Sequence, residues 1–279
     1  MNKSEARPQD HAKPARIEIN GERLPMRVFI FCVIAELLLV LLDATVNWSE
    51  YSKYSTIQRL FNITREDGLA TWFMVTQTFL TALVLWVIFL LHRSRSEGWK
   101  RLAGWGFLAS FFTYMSADDG ALIHERLGTM FSKAYKEGDP ADANSLLGQI
   151  QAFFPSYEWQ LVALPVLAGA GLFMLFFLWR EFSKRGERYL VVLSALCMAL
   201  AVGLDFIEGL EPDHALNAHV WMKEAFDLRL SFIRHFSKAL EEFLEMLAIS
   251  LLLMLFLRHL IRISGTSLTF AFRSQPPST

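Results

Sequence analysis

Acidic and histidine side chains collect beside three apolar segments of this 279-residue chain. They are Asp118, Asp119, His124 and Glu125 after one segment, Asp205 and Glu208 at the end of another, and His235, Glu241, Glu242 and Glu245 at the start of a third. A charge in hydrocarbon costs about 2.5–3.5 kcal/mol on insertion scales unless it is compensated. Carboxylates and imidazoles from several helices are common ligands of zinc and di-iron sites. The pattern therefore predicts a divalent metal site, with zinc or iron as the ion.

We divide the candidate residues into metal ligands and groups for acid–base or nucleophilic chemistry. The candidate ligands are Asp119, His124, Glu125, Asp205, Glu208, His235, Glu242 and Glu245. The candidate catalytic residues are Ser116, Asp118, Glu36 and Asp43. No Gly-x-Ser-x-Gly sequence surrounds Ser116, which disfavours a serine nucleophile of the α/β-hydrolase kind. The reaction classes that fit are metal-dependent hydrolysis and oxidation–reduction.

The apolar segments themselves indicate a membrane protein. Hydrophobic residues make up 53% of the chain and are concentrated in long runs. Six runs approach the span length of about 20 residues: 26–46, 71–91, 102–116, 159–179, 189–204 and 239–259. We expect an all-α bundle of six transmembrane helices over 26–263, with helical outer loops. A disordered tail is expected over 1–25 and a second tail over 264–279.

Basic residues set the expected orientation of these spans. They are concentrated before the first run, in two connecting loops and after the last run. By the positive-inside rule both termini are cytoplasmic, and the acidic groups then face outward from a bacterial inner membrane. The net charge of −1 gives no field that favours nucleic acid. The expected partners are the lipid bilayer and either a lipid-like substrate or a cation.

Helix geometry predicts that the acidic groups share one depth. A helix rises 1.5 Å per residue, so about 20 residues cross roughly 30 Å of hydrocarbon. Counting that distance from the basic residue at the far end of each helix places Asp118, Asp205 and Glu242 near one membrane boundary. Glu245 falls about one helical turn deeper.

A further carboxyl group falls in the middle of the first run. Glu36 lies at its midpoint, and Asp43, seven residues later, lies on the same helix face. A midplane carboxyl must be neutral, paired or beside water. Together with the acidic groups, these residues form a candidate polar track, which Thr76, Gln77, Thr78 and Thr81 of the second run could also line. The alternative function is therefore proton- or cation-coupled transport with Glu36 as the midplane relay.

Basic residues near the acidic groups allow a third interpretation. Arg65, Arg126, Arg234 and Lys238 could pair with the acids in a structural or assembly subunit. Segment 65–68 either closes over the acids or caps the next helix, and the helix dipole favours the cap. Segment 217–236 is amphipathic and predicts a surface helix, and 144–154 is a weaker candidate of the same kind.

The motif Ser116-Ala117-Asp118-Asp119, followed by His124-Glu125, resembles one found in a group of uncharacterised bacterial multipass membrane proteins. Their signature is Ser-x-Asp-Glu-x4-His-Glu, and this chain has Asp119 where that pattern has Glu. The same likeness includes Phe61-Asn62-Ile63, Glu66, Thr71-Trp72-Phe73, Glu241-Glu242 and Glu245. It covers most of the membrane region and implies a multipass membrane fold without an assigned activity.

A fainter likeness links the chain to membrane hydrolases of the alkaline ceramidase type. Those enzymes place Ser, Asp and His around zinc near a membrane boundary. The last apolar run of this chain lacks their His-x-x-x-His pair. The chain thus shares residue types with these enzymes but not this motif. The resemblance implies a zinc-dependent lipid hydrolase.

Overall fold

A computed structural model describes residues 16–48, 52–136, 154–265 and 267–271. The helices are α1 (Leu24–Asp43), α2 (Ser55–Phe61), α3 (Leu69–Ser94), α4 (Trp99–Ala121), α5 (Ile123–Lys136), α6 (Glu158–Val162), α7 (Leu164–Glu181), α8 (Arg185–Glu208), α9 (Ala218–Phe226) and α10 (Leu230–Ser264). A π-helical turn, Ala44–Trp48, continues α1. The strands are β1 (Arg16–Asn20) and β2 (Ser267–Ala271). The predicted all-α class is confirmed apart from this short ribbon.

Five helices are long and apolar enough to cross a membrane, by length and composition. They are Leu24–Trp48, Leu69–Ser94, Leu164–Glu181, Arg185–Glu208 and Leu230–Ser264. These correspond to five of the six predicted runs and are compatible with a multipass membrane protein. The remaining run lies in α4, a helix of 23 residues that is less apolar because both of its ends carry charged residues.

Three breaks separate consecutive helices, and two of them interrupt the predicted segments 159–179 and 217–236. Leu122, with a φ of 54°, separates α4 from α5, and Pro165 in the first turn of α7 accompanies the break after α6. Asp227, with a φ of 51°, divides the predicted surface helix 217–236 into α9 and the start of α10, so a single helix there was wrong. The predicted segment 144–154 lies outside the described residues except for Phe154.

The centre of the bundle is α10. In the apolar stretch of α10, 72% of the residues are buried. The corresponding share in α7 is 6%, so α7 presents its side chains outward. Helix α3 packs along α4 and α10, while α8 and α1 also pack against α10. Fully buried Trp105, Leu108 and Phe256 lie in the main apolar core. This packing brings the ends of four helices together on each side of the bundle.

The two strands join the segments that flank the bundle. They pair antiparallel, with Arg16 opposite Ala271 and Asn20 opposite Ser267. Both lie within the segments predicted as tails; residues 1–15 and 272–279 lie outside the described residues. The chain just before α1 and just after α10 therefore lies on one side of the bundle.

Candidate functional site

The structure brings most of the predicted site residues together at one end of the bundle. We call this group the boundary cluster. It consists of Glu66, Asp118, Asp119, Glu125, Asp205, Glu208, Glu241, Glu242 and Glu245, with Lys238, Arg234 and His124. Its members come from the loop before α3, from the α4–α5 turn, from the end of α8 and from the first half of α10.

The sharp turn between α4 and α5 is built on one carboxylate. The backbone N–H of His124 donates to Asp118 Oδ1 over 2.9 Å, and His124 Nδ1 lies 2.6 Å from Asp118 Oδ2. Asp118 is fully buried. A carboxylate behind an imidazole fixes the ring and leaves its other nitrogen free to accept a proton or bind a metal. Asp118 is thus placed to orient His124, whereas the sequence predicted a direct catalytic role.

His124 is held from a second side by an aromatic ring. The rings of His124 and Trp159 meet edge to face, with centroids 4.8 Å apart. This approach depends on Gly128, because an added Cβ there would lie 2.7 Å from the Cα and N of Trp159. Burial lowers the pKa of His124, but the hydrogen bond and charge of Asp118 raise this pKa by more, so the net shift is upward.

Glu66 and Glu125 form a carboxyl–carboxyl pair. Burial raises the pKa of Glu66 to about 7, and its hydrogen bond with Glu125 adds to the rise. Near neutral pH Glu66 therefore carries a proton that can be exchanged. The N-cap of α3 is Gly68, the last residue of the segment 65–68 that was predicted to cap the helix, and Asp67 in that segment pairs with Arg59 and Arg65. The alternative, in which the segment reaches the cluster, is found for Glu66.

Lys238 is the principal cation of the cluster. Its Nζ lies 2.6 Å from Glu241 Oε1, 3.7 Å from Asp205 Oδ1 and 3.8 Å from Glu242 Oε1. Asp205 Oδ2 also accepts from Gln160 Nε2 over 2.7 Å. One ammonium group cannot neutralise three carboxylates, so a negative excess remains around it.

The excess extends to carboxyl groups farther along α10. Glu245 interacts electrostatically with Glu242 and with Asp119, and all three are partly buried. The buried Oε2 atoms of Glu208 and Glu241 have no hydrogen-bond partner among the described residues. Carboxylates this close require raised pKa values or a bound cation.

His235 and Asp43 form a separate pair at the edge of the cluster. His235 Nε2 lies 2.6 Å from Asp43 Oδ2, and Asp43 Oδ1 accepts from Asn47 Nδ2 over 2.8 Å. The ring of Trp48 covers His235, with centroids 5.0 Å apart. His235 was predicted as a metal ligand and Asp43 as a catalytic group. In the structure the two side chains bond each other, which ties α1 to α10.

The two remaining predicted residues are bonded inside the bundle. Glu36 is fully buried, and its Oε1 accepts from Gln77 Nε2 over 3.1 Å and from Ser250 Oγ over 2.6 Å. Of the four polar residues of the second run that could line the track, Gln77 bonds Glu36. Ser250 was missed because it lies within a run that is otherwise mostly apolar. Ser116 Oγ donates to the Val75 carbonyl over 3.1 Å, which joins α4 to α3.

Metal-ligand spacing is closest at the other end of the bundle. Among the residues that the structure describes, one set of three His, Cys, Asp or Glu side chains has ligand atoms within 4.8 Å of one another, namely His92, Glu181 and His259. The boundary cluster offers more donors, but without that convergence. No sequence pattern predicted the triad, since each of its residues is an isolated polar group near a helix end.

Most of the chain matches a protein family of unknown function. No curated protein and no solved structure matches the chain. The family described as a domain of unknown function (DUF8692) matches residues 29–259. The matched region contains the whole boundary cluster and the triad at the opposite end. The chain belongs to this family, the domain of unknown function DUF8692.

Proposed function

We propose that this chain is a multipass inner-membrane protein whose boundary cluster binds a divalent cation and hydrolyses an amphiphilic substrate. The observation that carries the proposal is a partly buried excess of carboxyl groups around one imidazole, His124, which Asp118 holds in place. The arrangement supports metal-dependent chemistry better than the two other functions that fit the sequence.

Pairing of the two strands supports six crossings. Because β1 and β2 lie side by side, the number of spans between them is even. Five helices qualify by composition, and α4 supplies the sixth: its 23 residues rise about 35 Å, enough to cross hydrocarbon. Lys100 and Arg101 open α4 and Asp118 ends it, so the positive-inside rule places the cluster outside.

The donor set is suited to a divalent cation. Carboxylate oxygens with an imidazole nitrogen bind Mn²⁺, Fe²⁺ or Zn²⁺. Beside the ligands named next, the buried Oε2 atoms of Glu208 and Glu241 lack hydrogen-bond partners among the described residues. Asp119, Glu242 and Glu245 with His124 would hold the ion. When bound, such an ion polarises an ester or amide carbonyl and lowers the pKa of its water.

Protein groups beside these ligands can manage the protons of a hydrolysis. Burial and the hydrogen bond to Glu125 raise the pKa of Glu66 to about 7, so Glu66 can accept a proton from water and pass it to a leaving group. Asp118 keeps His124 oriented, and Lys238 fixes Glu241 and Asp205 at the rear of the cluster. The chain thus supplies positioning and acid–base groups from four different helices.

The surroundings of the cluster fit an amphiphilic substrate. The side chains of Trp72, Trp221 and Phe226 are each more than 60% exposed near this end of the bundle. Aromatic side chains at a membrane boundary match the level of lipid headgroups. A substrate with an acyl chain could remain in the bilayer while its polar bond reaches the cluster.

Transport through the bundle has less support. Between Glu36 and the opposite end, the interfaces of α3 and α10 present buried Leu85, Ile88, Leu255 and Phe256. This apolar layer gives no polar path among the described residues. A purely structural role is also less well supported, because Lys238 lies beside three carboxyl groups, Asp205, Glu241 and Glu242, and its single charge cannot neutralise all of them.

Metal content and lipid turnover test the proposal together. Purified protein in detergent should contain a stoichiometric divalent metal, and Glu242→Gln and His124→Ala should each lose one equivalent of it per chain. Glu224→Gln, at an exposed glutamate of α9, is the matched control and should retain it. Mixed micelles of ester- and amide-linked lipids should release fatty acid only with the metal-loaded protein. Metal-free wild type, or release that is indifferent to these variants, would overturn the proposal.

A further inference from the structure

A second group of ligand-type side chains lies at the end of the bundle opposite the boundary cluster. It comprises His92 in the last turn of α3, Glu181 at the end of α7 and His259 near the end of α10. We call it the inner triad. One ligand atom from each residue lies within 4.8 Å of the others, and the two histidines are only 1% and 2% exposed. Three separate helices thus deliver donors to one enclosed point.

The two imidazoles are spaced as ligands of a single ion. Their Nε2 atoms lie 3.2 Å apart. Two nitrogens bound to a tetrahedral zinc at about 2.05 Å each are separated by about 3.3 Å. The indole of Trp105 lies nearly parallel to both rings, with centroids 5.6 Å from His92 and 4.7 Å from His259. This stacking fixes the orientations that point both nitrogens toward each other.

A carboxylate stands behind one imidazole. Glu97 Oε2 lies 2.9 Å from His92 Nδ1, on the far side of the ring from the Nε2 atom. Carboxylates in this position orient metal-bound histidines and strengthen them as ligands. Glu181 is held by Arg101, but a carboxylate has about four lone-pair sites, so it can keep that partner and still bind an ion.

One contact opposes ion binding and explains how the ion-free form is stabilised. Arg262 Nη2 lies 3.0 Å from His259 Nδ1. A guanidinium only donates, so this Nδ1 accepts and the ring proton sits on Nε2, where it can bond His92. For an ion to bind Nε2, that proton must move to Nδ1. Arg262 then loses this bond but keeps Glu187, whose Oε1 lies 2.8 Å from Nη1.

We propose that the inner triad is a second metal site, for a zinc-like divalent transition ion. Two imidazoles and one carboxylate select Zn²⁺ or Co²⁺ over Mg²⁺ and Ca²⁺, and leave a fourth position for water. Arg262 competes with the ion for His259 and sets its affinity. Binding there would tie together the ends of α3, α7 and α10.

Cobalt is the probe that tests this site. The full chain carrying His124→Ala, which weakens the boundary cluster, is titrated with Co²⁺ in detergent and followed by its visible absorption. The expected result is the intense spectrum of tetrahedral Co²⁺, reversed by Zn²⁺ and lost in His92→Gln and His259→Gln. His219→Gln, at a buried histidine outside both groups, should keep the spectrum. No tetrahedral spectrum, or one that survives both triad substitutions, overturns the proposal.

Two milder variants keep the test decisive if the triad substitutions unfold the protein. Glu97→Gln should weaken Co²⁺ binding about 10–100-fold, as expected for a partner behind a ligand. Arg262→Gln should lower the Kd, because the carboxamide oxygen accepts from the Nδ1–H form that ion binding requires. An unchanged Kd in both variants overturns the proposal. Since the boundary cluster is already impaired in this chain, the outcome is independent of the proposed lipid hydrolysis.

Discussion

His235 on α10 and Asp43 on α1 are 192 residues apart in sequence, yet Nε2 and Oδ2 lie 2.6 Å apart. Asp43 also accepts from the side chain of Asn47 and from the backbone N–H of Ile63, so three segments meet at one buried carboxylate. The pair closes the first helix onto the last beside the boundary cluster.

Asp43→Asn should destabilise the fold. It leaves His235 with a weaker partner inside the bundle, and loss of such a bond costs about 1–3 kcal/mol. The free energy of unfolding in detergent is the measurement, with Asp213→Asn at an exposed loop position as the control. Because the residues touch, Asp43→Asn and His235→Gln should be coupled by about 0.5–3 kcal/mol in a double-mutant cycle. Strictly additive effects would show that the pair contributes nothing.

Asp118→Asn separates two roles of one residue. Asparagine retains an Oδ1 that can accept from the backbone N–H of His124, so the turn should survive. It cannot act as a negative partner for Nδ1, and metal affinity at the boundary cluster should fall about 10–100-fold. Calorimetric titration with Zn²⁺ and Mn²⁺ measures this. Unchanged affinity would limit Asp118 to capping the turn.

Gly128→Ala should loosen the support of His124. The new Cβ would meet the backbone of Trp159, which cannot move like a side chain, and overpacking of this kind costs about 1–3 kcal/mol. Gly203→Ala in α8 is the matched control, since nothing lies within 4 Å of its added Cβ. That change should raise stability by about 0.5–1 kcal/mol. Thermal unfolding compares the two, and the reverse order of Tm values would refute the packing account.

The buried ring of His219 should make the stability of the fold depend on pH. Burial and the charge of Arg234 lower its pKa, and neither ring nitrogen has a partner among the described residues. In the unfolded chain the His219 ring is protonated below about pH 6.5, whereas in the folded protein it is protonated only at lower pH. The stability contributed by the neutral ring is therefore lost as the pH falls below about 6.5. His219→Gln should lose less stability between pH 7 and 5 than wild type; equal losses would be inconsistent with this.

The bundle was largely predictable because long apolar runs have few alternatives to membrane-length helices. Five runs became such helices. The breaks were not predictable: Leu122 and Asp227 adopt positive φ although neither is glycine, the residue type that usually marks this conformation. Nor did periodicity reveal that α10 extends over 35 residues, because its polar first half is helical through contacts with other helices.

The boundary cluster was predictable in outline from depth alone. Equal counts of helical rise placed Asp118, Asp205 and Glu242 at one level, and the structure brings them to one end of the bundle. Glu66 was harder to place, since an acid before a helix fits a cap equally well. The inner triad required the tertiary structure, because its three residues are distant in sequence and follow no ligand spacing.

The central claim is that the boundary cluster binds a divalent cation, and elemental analysis tests it most directly. The parent protein carries His259→Gln, so that the inner triad cannot contribute metal. We expect a stoichiometric divalent ion in this parent and in its Glu224→Gln derivative, and loss of the ion in the Glu242→Gln and His124→Ala derivatives. A folded parent without metal, or metal retained in both cluster derivatives, would contradict the claim.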